Sequence, residues 1–182
     1  GLAQGKGAMV CYNLGEVDAA LRRIASGEFG EAGKRFLVEE FLEGIEASYI
    51  VLVDKNGHIL PLATSQDHKR IGDNDTGDNT GGMGAYSPAP IVTPVVEART
   101  LERIVRPTIE IMAKRGTPVY GFVYFGLMID KDGNPYLVEI NVRLGDPETQ
   151  PILARMKTDI VKVFLATLDG NLDKVQIDWD PR

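Results

Sequence analysis

The sequence predicts an α+β fold, and three observations support this class. A strand-like and a helix-like segment open the chain, after which short apolar runs joined by tight turns predict an antiparallel meander. A parallel, doubly wound sheet would need helices between most of its strands. The 182 residues are 43% hydrophobic and 25% charged, which is typical of a globular chain. This length suits one ordinary domain or two small ones.

The charge and cysteine content exclude several classes of protein. Lys and Arg total 20 against 26 Asp and Glu, a formal charge of −6 that argues against a nucleic-acid binder. Cys11 is the single cysteine, so an internal disulfide and a cysteine-based zinc cluster are excluded. We therefore expect a reducing, cytoplasmic location. No apolar run approaches the ~18–20 residues of a membrane span, so no membrane partner is expected.

The first part of the chain predicts a helix among short strands. Apolar residues at helical spacing from Glu16 to Ser26, ended by Gly27, indicate the helix. Lys55-Asn56-Gly57 is typical of a hairpin turn. The predicted strands are Ala8–Tyr12, Arg35–Leu42, Ala47–Asp54 and His58–Ala63.

The stretch from Thr64 to Ser87 lacks a periodic apolar face. It is rich in glycine and aspartate, and we expect a long irregular loop. Structureless loops of this length in compact domains are usually functional or disordered, and the mixed composition favours function.

The second part of the chain predicts a helix, two strands and further helices. Thr93 as N-cap and Pro94 at the first position begin a helix that Pro107 should kink and Gly116 should end. Its predicted buried stripe is Leu101, Ile104, Val105, Thr108, Ile111 and Met112. The later elements are strands Val119–Asp130 and Tyr136–Asn141, one or two helices over Pro147–Leu168, and a polar linker over Asn171–Arg182.

Four groups of residues carry candidate chemistry, of which the first two are a glycine-rich loop and a pair on a strand. Gly5, Lys6 and Gly7 suit anion binding, because glycines let backbone N–H groups approach a phosphate; a flexible surface turn is the alternative. This is not a Walker A loop, since Gly7 stands where Ser or Thr should be. Glu139 and Asn141 are two apart on a strand, so both point to one face as hard oxygen ligands for Mg²⁺. A polar edge-strand face is the alternative there.

Charged residues follow that strand and also precede the first long one. Arg143, Asp146 and Glu148 come directly after Asn141, with glycine and proline between them, a common place for a site. An acidic run surrounds Phe41 and Leu42 and includes Glu39, Glu40, Glu43 and Glu46. It is either a solvated face or a purine-binding pair beside a ribose-binding acid.

Together these segments resemble the phosphoribosylamine–glycine ligase family of the ATP-grasp superfamily, over the whole chain. The similar motifs are Gly1–Gly7, Glu39–Gly44, Ala63–Arg70, Asn79–Pro88 and Arg143–Gln150. The last two are specific to this ligase family. The resemblance implies an ATP-grasp fold, with residues 1–42 as part of the lid subdomain and 43–182 as the larger ATP-binding subdomain.

The family resemblance also implies an activity and its residues. ATP, 5-phosphoribosylamine and glycine would form glycinamide ribonucleotide, ADP and phosphate through glycyl phosphate, with Mg²⁺ or Mn²⁺ as the metal. Lys6 and its glycines would cover the phosphates, Arg143 would stabilise the transferring phosphoryl group, and Glu139 and Asn141 would bind the metal. The implied nucleotide contacts are Glu39, Phe41, Leu42, Glu46 and Lys69. The implied glycine contacts are Asp75, Thr80, Gly81, Gly82 and Asp146.

The sequence also departs from the wider pattern. Gly126 stands where many ATP-grasp enzymes carry a second metal-binding acid. We expect the chain to be the central piece of a longer enzyme, without its N- and C-terminal domains and therefore inactive alone. A biotin-carboxylase-like or carboxyaminoimidazole-type enzyme fits the ligase-specific motifs less well. A non-catalytic nucleotide-binding module would not need Lys6, Glu139, Asn141 and Arg143.

Overall fold

The computed structural model describes the backbone of residues 9–72 and 76–181; the side chains of residues 69–71 and 76–82 are not described. The chain divides into two compact units, Gly1–Leu42 and Glu43–Arg182. Each unit is described by itself below. The assignment of these units to the lid and the ATP-binding subdomain of a grasp fold stays a prediction.

A capped helix is the main element of the first unit. Helix α1 spans Leu14–Ala25, and the Asn13 side chain accepts a hydrogen bond from the Glu16 N–H at 3.0 Å. The Glu16 carboxylate in turn accepts from the Tyr12 N–H at 2.7 Å, which completes a reciprocal cap. Gly27, at φ 85°, follows the helix end. The predicted helix is confirmed.

The two strands predicted in this unit are wrong. Among the described residues of the first unit none lies in a strand, and a 3-10 helix occupies Gly30–Lys34. Leu37 and Val38 are 84% and 88% exposed. Their apolar, β-branched composition favours a strand, but a strand also needs a neighbour to take its backbone hydrogen bonds.

Two antiparallel β-sheets form the framework of the second unit. Its strands are β1 (Ile45–Val53), β2 (Ile59–Pro61), β3 (Gln66–Gly72), β4 (Thr76–Tyr86), β5 (Gly121–Ile129) and β6 (Pro135–Asn141). One sheet has the order β2-β1-β5-β6, and β3 pairs with β4 in the other. The turn from β1 to β2 contains Gly57 at φ 81°, so the predicted hairpin is confirmed.

A bulge interrupts the pairing of β5 with β6. Leu127 lies opposite Leu137, whereas the preceding residue Gly126 lies opposite Glu139. Val138 is therefore the extra residue on β6. Side chains alternate between the two faces of a strand, so this one-residue shift changes the face on which every later residue of β6 lies.

Helices α2 (Pro94–Thr100) and α3 (Arg106–Lys114) cover one face of the four-stranded sheet. Their buried residues include Val96 and Ile109, packed in one cluster with Tyr49, Val51 and Phe125 of the sheet. We call this the apolar face. Thr93 caps α2 as predicted, accepting from the Val96 N–H at 3.4 Å.

A π-helical turn over Leu101–Val105 joins α2 to α3 just before Pro107, and the kink expected at that proline stays a prediction. Proline lacks an N–H and clashes with the carbonyl one turn earlier, which a wider turn relieves. The predicted buried stripe needs correction as a result. Ile111 is 48% exposed, while Ile109, which was not predicted, is buried.

The opposite face of the sheet is covered by α4 (Thr149–Arg155), α5 (Ile160–Asp169) and the end of the chain. Ile152, Val163 and Leu172 pack in one cluster with Ile50 and Tyr124 of the sheet. We call this the mixed face, because it also carries polar side chains.

The C-terminal stretch from Asn171 is not the linker that its polar composition predicts. Leu172 is 2% exposed, and Trp179 packs against the same cluster. Trp179 also pairs with Met156 through an isolated β-bridge. These two apolar residues anchor the stretch to the mixed face.

The expectation of an irregular loop over Thr64–Ser87 is also wrong, because β3 and β4 form an antiparallel ribbon there. The residues that enter and leave the ribbon contact each other, since the Ser87 hydroxyl donates to the Thr64 carbonyl at 2.7 Å. Backbone pairing does not depend on apolar alternation, which is why the sequence pattern gives no sign of this ribbon. In the described part of the chain, no helix has the length and apolarity to cross a membrane.

Candidate active site

A row of four residues crosses the mixed face of the sheet. Ser65 pairs with Ser48 of β1, Ser48 lies opposite Gly126 of β5, and Gly126 lies opposite Glu139 of β6. Directly opposed residues in antiparallel strands point to the same face, so these positions form one line, which we call the polar row. The row is buried at Ser65, Ser48 and Gly126 and exposed at Glu139.

The predicted metal ligands lie together at the open end of this row. Glu139 is exposed and Asn141 half-buried, and both follow the bulge, so they share the mixed face as expected. Asn141 lies opposite Tyr124. Among the described residues, no three His, Cys, Asp or Glu side chains group closely enough to hold a metal ion. The metal-binding role of this pair stays a prediction.

Gly126 leaves room for Glu139. A Cβ at Gly126 would lie 2.8 Å from the Cγ atom of Glu139, too close for any real pair of carbon atoms. An acidic side chain at this position would therefore displace Glu139. With its present conformation, the Glu139 side chain therefore requires a glycine opposite it.

Ser48 of the polar row also belongs to a buried chain of hydrogen bonds. The Ser48 hydroxyl donates to Glu148 Oε1 at 2.7 Å and lies 3.0 Å from the Tyr124 hydroxyl. Since serine has one proton, Tyr124 donates to Ser48. Burial raises the pKa of Tyr124, the hydrogen bond to Ser48 opposes this, and the carboxylates of Glu148, Asp67 and Glu139 add to the rise. The phenol therefore keeps the proton that it donates.

The segment after β6 carries two exposed charged residues and the buried Glu148 of this network. Arg143 and Asp146 are exposed, and Arg143 donates to the Leu144 carbonyl at 2.7 Å. Glu148 packs against Gly145, where a Cβ would lie 2.5 Å from Glu148 Oε2. The turn thus brings Arg143 and Asp146 to the end of the strand that carries Glu139 and Asn141.

Sequence reasoning missed Ser48, Ser65 and Tyr124 and gave Glu148 no role. A serine inside the apolar run of β1 is a signal that could have identified Ser48. Its hydrogen bond to Glu148 joins residues 100 positions apart, which no local pattern reveals.

The predicted nucleotide-binding residues fall in both units. Glu39, Phe41 and Leu42 lie in the first unit, where the Phe41 ring meets the Tyr12 ring edge-on at 5.2 Å. Glu46 lies in β1 of the second unit, opposite Met128. Nothing in either unit tests the adenine and ribose roles of these residues, which stay predictions.

The remaining predicted site residues lie in or beside the ribbon or near the start of the chain. Lys69 belongs to β3, and Thr80, Gly81 and Gly82 belong to β4. Gly5, Lys6, Gly7 and Asp75 lie outside the described residues.

Solved structures establish the fold class. A *Thermus thermophilus* N5-carboxyaminoimidazole ribonucleotide synthetase matches with a TM-score of 0.62 and 14% identity, over 90% of this chain and 40% of that one. The biotin carboxylase domain of *Hydrogenobacter thermophilus* 2-oxoglutarate carboxylase matches with a TM-score of 0.51 and 22% identity, over 84% of this chain and 32% of that one. The chain has the α+β fold of the ATP-grasp enzymes, as predicted.

Sequence comparison establishes the family. Residues 1–149 match the ATP-grasp (A) domain of phosphoribosylglycinamide synthetase, and the chain belongs to this family. Over its whole length it is 58% identical to a phosphoribosylamine–glycine ligase of *Escherichia coli* O6:H1 and 56% identical to one of *Vibrio vulnificus*. It spans 42% of the length of each relative. The family resemblance predicted from the motifs is confirmed.

Proposed function

We propose that this chain is the ATP-binding core of a phosphoribosylamine–glycine ligase of purine biosynthesis. The reaction joins glycine to 5-phosphoribosylamine and converts ATP to ADP and phosphate. Membership of the family and relatives of 56–58% identity that bear this name support the proposal. Because the chain spans 42% of those relatives, further domains of the enzyme would complete the substrate sites.

The observation that carries the proposal is the grouping at the end of β6. Glu139 and Asn141 share one face, and Arg143 follows at the start of the turn. Their oxygens suit a magnesium ion, which would offset the charge of the ATP phosphates when bound. Arg143 is exposed and would offer its guanidinium to the transferring phosphoryl group.

The chemistry requires alignment and charge neutralisation more than a protein nucleophile. A glycine carboxylate oxygen attacks the γ-phosphorus of ATP, and the bond to ADP breaks. The amine of phosphoribosylamine then attacks the carbonyl carbon of glycyl phosphate, loses a proton and displaces phosphate. Arg143 would stabilise negative charge in both steps, and Asp146 at the same turn would help to hold glycine.

The nucleotide contacts that we propose are those that the family resemblance implies. We assign the adenine ring to Glu39, Phe41 and Leu42 and the ribose hydroxyls to Glu46. Lys69 and the Gly5–Gly7 loop with Lys6 would contact the phosphates, while Asp75 and the Thr80–Gly82 turn would complete the glycine site. Two of the matching solved structures are described as complexes with ADP or MgADP, which supports a nucleotide site in this fold. We place the activity in the cytoplasm, with which the single Cys11 is compatible.

The test is ADP release that depends on both glycine and phosphoribosylamine, measured on the longest gene product that carries this segment. We expect Glu139→Ala to lower kcat/KM for ATP about 100-fold, because it removes a metal ligand. Glu102→Ala, at an exposed position of the π-helical turn, is the matched control and should retain full activity. An equal effect of both variants would contradict the assignment of Glu139.

Calorimetry gives an independent test of the metal assignment. ATP binding should be tighter with Mg²⁺ than without it, and Glu139→Ala should remove most of that difference. If Mg²⁺ leaves the affinity of the unmodified protein unchanged, the metal assignment is wrong.

A further inference from the structure

The β3–β4 ribbon is closed at one end by side-chain hydrogen bonds. Thr64 comes shortly before β3, and Ser87 directly follows β4. The Ser87 hydroxyl donates to the Thr64 carbonyl at 2.7 Å, and the Thr64 hydroxyl accepts from the Ala89 N–H at 3.0 Å. We call this end, at Thr64 and Ser87, the base of the ribbon. These bonds hold the two sides of the base together, but they do not reach the helices of the mixed face.

Arg155, the last residue of α4, supplies a link from the base of the ribbon to those helices. Its Nη1 atom donates to the Ser87 hydroxyl at 2.9 Å, and its Nε atom donates to the Asp180 carbonyl at 3.0 Å. The Asp180 N–H donates in return to the Arg155 carbonyl at 2.7 Å. A guanidinium suits this place because its donors are fixed in one plane and serve several partners at once. Arg155 thus joins α4, the C-terminal stretch and the ribbon.

The other end of α4 lies at the turn that follows β6. The Thr149 N–H donates to the Gly145 carbonyl at 3.3 Å, so the helix begins on the segment that carries Arg143 and Asp146. Ile152 in the middle of α4 is fully buried and holds the helix against the sheet. A helix of seven residues is about 10 Å long, so α4 is a short connection between that turn and the base of the ribbon.

The proposed glycine site takes residues from both of these elements. Asp146 lies on the turn after β6, whereas Thr80–Gly82 lie in β4 of the ribbon. Phosphoryl transfer to glycine depends on alignment, and a displacement of about 1 Å can lower a rate about 100-fold. Two elements that hold one small substrate must therefore keep a fixed position relative to each other.

We propose that Arg155 is a positioning residue for glycine, which acts by holding Ser87 and so fixes the ribbon relative to the turn that carries Asp146. This inference rests on the proposed function, in which glycine is the substrate. Loss of the Arg155–Ser87 bond would displace one half of the glycine site and leave the other half in place. ATP would be affected less, because most of its proposed contacts lie outside the ribbon.

The first experiment measures KM for glycine and for ATP on the longest gene product that carries this segment. Arg155→Met keeps much of the aliphatic stem but removes the donors, and it should raise KM for glycine about 10-fold while KM for ATP changes less than about 2-fold. A merely smaller folded fraction would lower kcat and leave both KM values unchanged. Arg103→Met, at an exposed position of the π-helical turn, is the matched control and should change neither value.

A double-mutant cycle tests whether Arg155 acts through Ser87. Ser87→Ala removes the acceptor and leaves the guanidinium in place, so it should raise KM for glycine by a similar factor. The double variant should then be no worse than the poorer single variant, since both changes remove the same bond. Effects on KM that multiply would show that Arg155 acts independently of Ser87 and would overturn the inference.

Hydrogen exchange of the same protein without substrates gives a readout that does not depend on activity. Arg155→Met and Ser87→Ala should both accelerate amide exchange in β3 and β4, while exchange in β1 and β5 stays unchanged. Arg103→Met should match the unmodified protein throughout. If Arg155→Met does not fold, as judged by its thermal unfolding, Ser87→Ala decides the result.

The outcomes separate the two proposals. Absence of glycine-dependent ADP release by the unmodified protein would contradict the proposed function, while faster exchange confined to the ribbon in the variants would still support Arg155 as its anchor. Normal turnover with unchanged KM for glycine in Arg155→Met and Ser87→Ala would overturn the inference and leave the proposed function intact. An equal rise in KM for ATP and for glycine would also overturn it.

Discussion

The two faces of the four-stranded sheet are built by the same central strands but differ in chemistry. Tyr49 and Phe125 are fully buried on the apolar face, against helices α2 and α3. Their chain neighbours Ser48 and Tyr124 point to the mixed face and form the hydrogen-bonded chain to Glu148. Alternation along a strand thus lets one segment stabilise the fold on one side and position polar groups on the other.

The largest loss of stability is expected when a core side chain on the apolar face is removed. Phe125→Ala should lower the free energy of unfolding by about 3–5 kcal/mol, because it leaves a cavity in the core. Tyr124→Phe, one residue earlier and on the other face, removes one hydroxyl and should cost about 1 kcal/mol. Urea unfolding of both variants measures the difference, and equal losses would mean that the two faces contribute alike.

A smaller effect is expected from the polar link on the mixed face. Ser48→Ala removes the hydroxyl between Tyr124 and Glu148 and leaves both buried groups without that partner. We expect a loss of about 2 kcal/mol in urea unfolding. Thr117→Ala, which removes an exposed hydroxyl, is the control and should change stability by less than about 0.5 kcal/mol. A Ser48→Ala variant as stable as the control would show that the network contributes nothing to folding.

The contact between Gly126 and Glu139 can be tested by a double-mutant cycle. Gly126→Ala should cost about 1 kcal/mol, since the new methyl group collides with the Glu139 side chain. The same change in a Glu139→Ala background should cost clearly less, because the colliding atoms are absent. Additive losses in urea unfolding would place the strain elsewhere.

The smallest effect concerns pH. His58 Nδ1 lies 2.9 Å from the buried Asp54 carboxylate, and this hydrogen bond raises the pKa of His58, with burial opposing it. Stability from the protonated ring is fully present below the unfolded value of about 6.5 and is lost as pH rises through the higher folded pKa.

The urea midpoint should therefore fall slightly between about pH 6 and pH 8. His58→Asn should flatten that dependence. His68→Asn is the matched control, since exposed His68 makes no ion pair in the described part of the chain and stacks on Tyr86. An unchanged slope in His58→Asn would exclude the Asp54 contact as its cause.

Local signals in the sequence predicted much of the fold. The cap at Thr93, the turn at Gly57 and the apolar runs of β1 and β5 depend on neighbouring residues, and each was predicted correctly. The β3–β4 ribbon was missed because its strands show no apolar alternation. The strand predicted over Arg35–Leu42 was wrong because composition does not supply a pairing partner.

The candidate site was predictable only where its residues are close in sequence. Glu139, Asn141 and Arg143 form a compact motif, and their order along the chain was enough to group them. Ser48, Tyr124 and Glu148 come from three distant segments, and only strand register and burial bring them together. The family resemblance predicted the fold class but did not reveal this network.

The bulge at Val138 has a consequence for how insertions and deletions would act on this protein. If the register that pairs Leu127 with Leu137 continued without the extra residue, Glu139 would lie opposite Phe125, on the apolar face of the sheet. Removing Val138 would instead restore a regular ladder and still leave that glutamate opposite Gly126. The face on which Glu139 and Asn141 lie is thus unchanged by one deletion at Val138, whereas a one-residue slip that keeps the full sequence would move both side chains to the apolar face of the sheet.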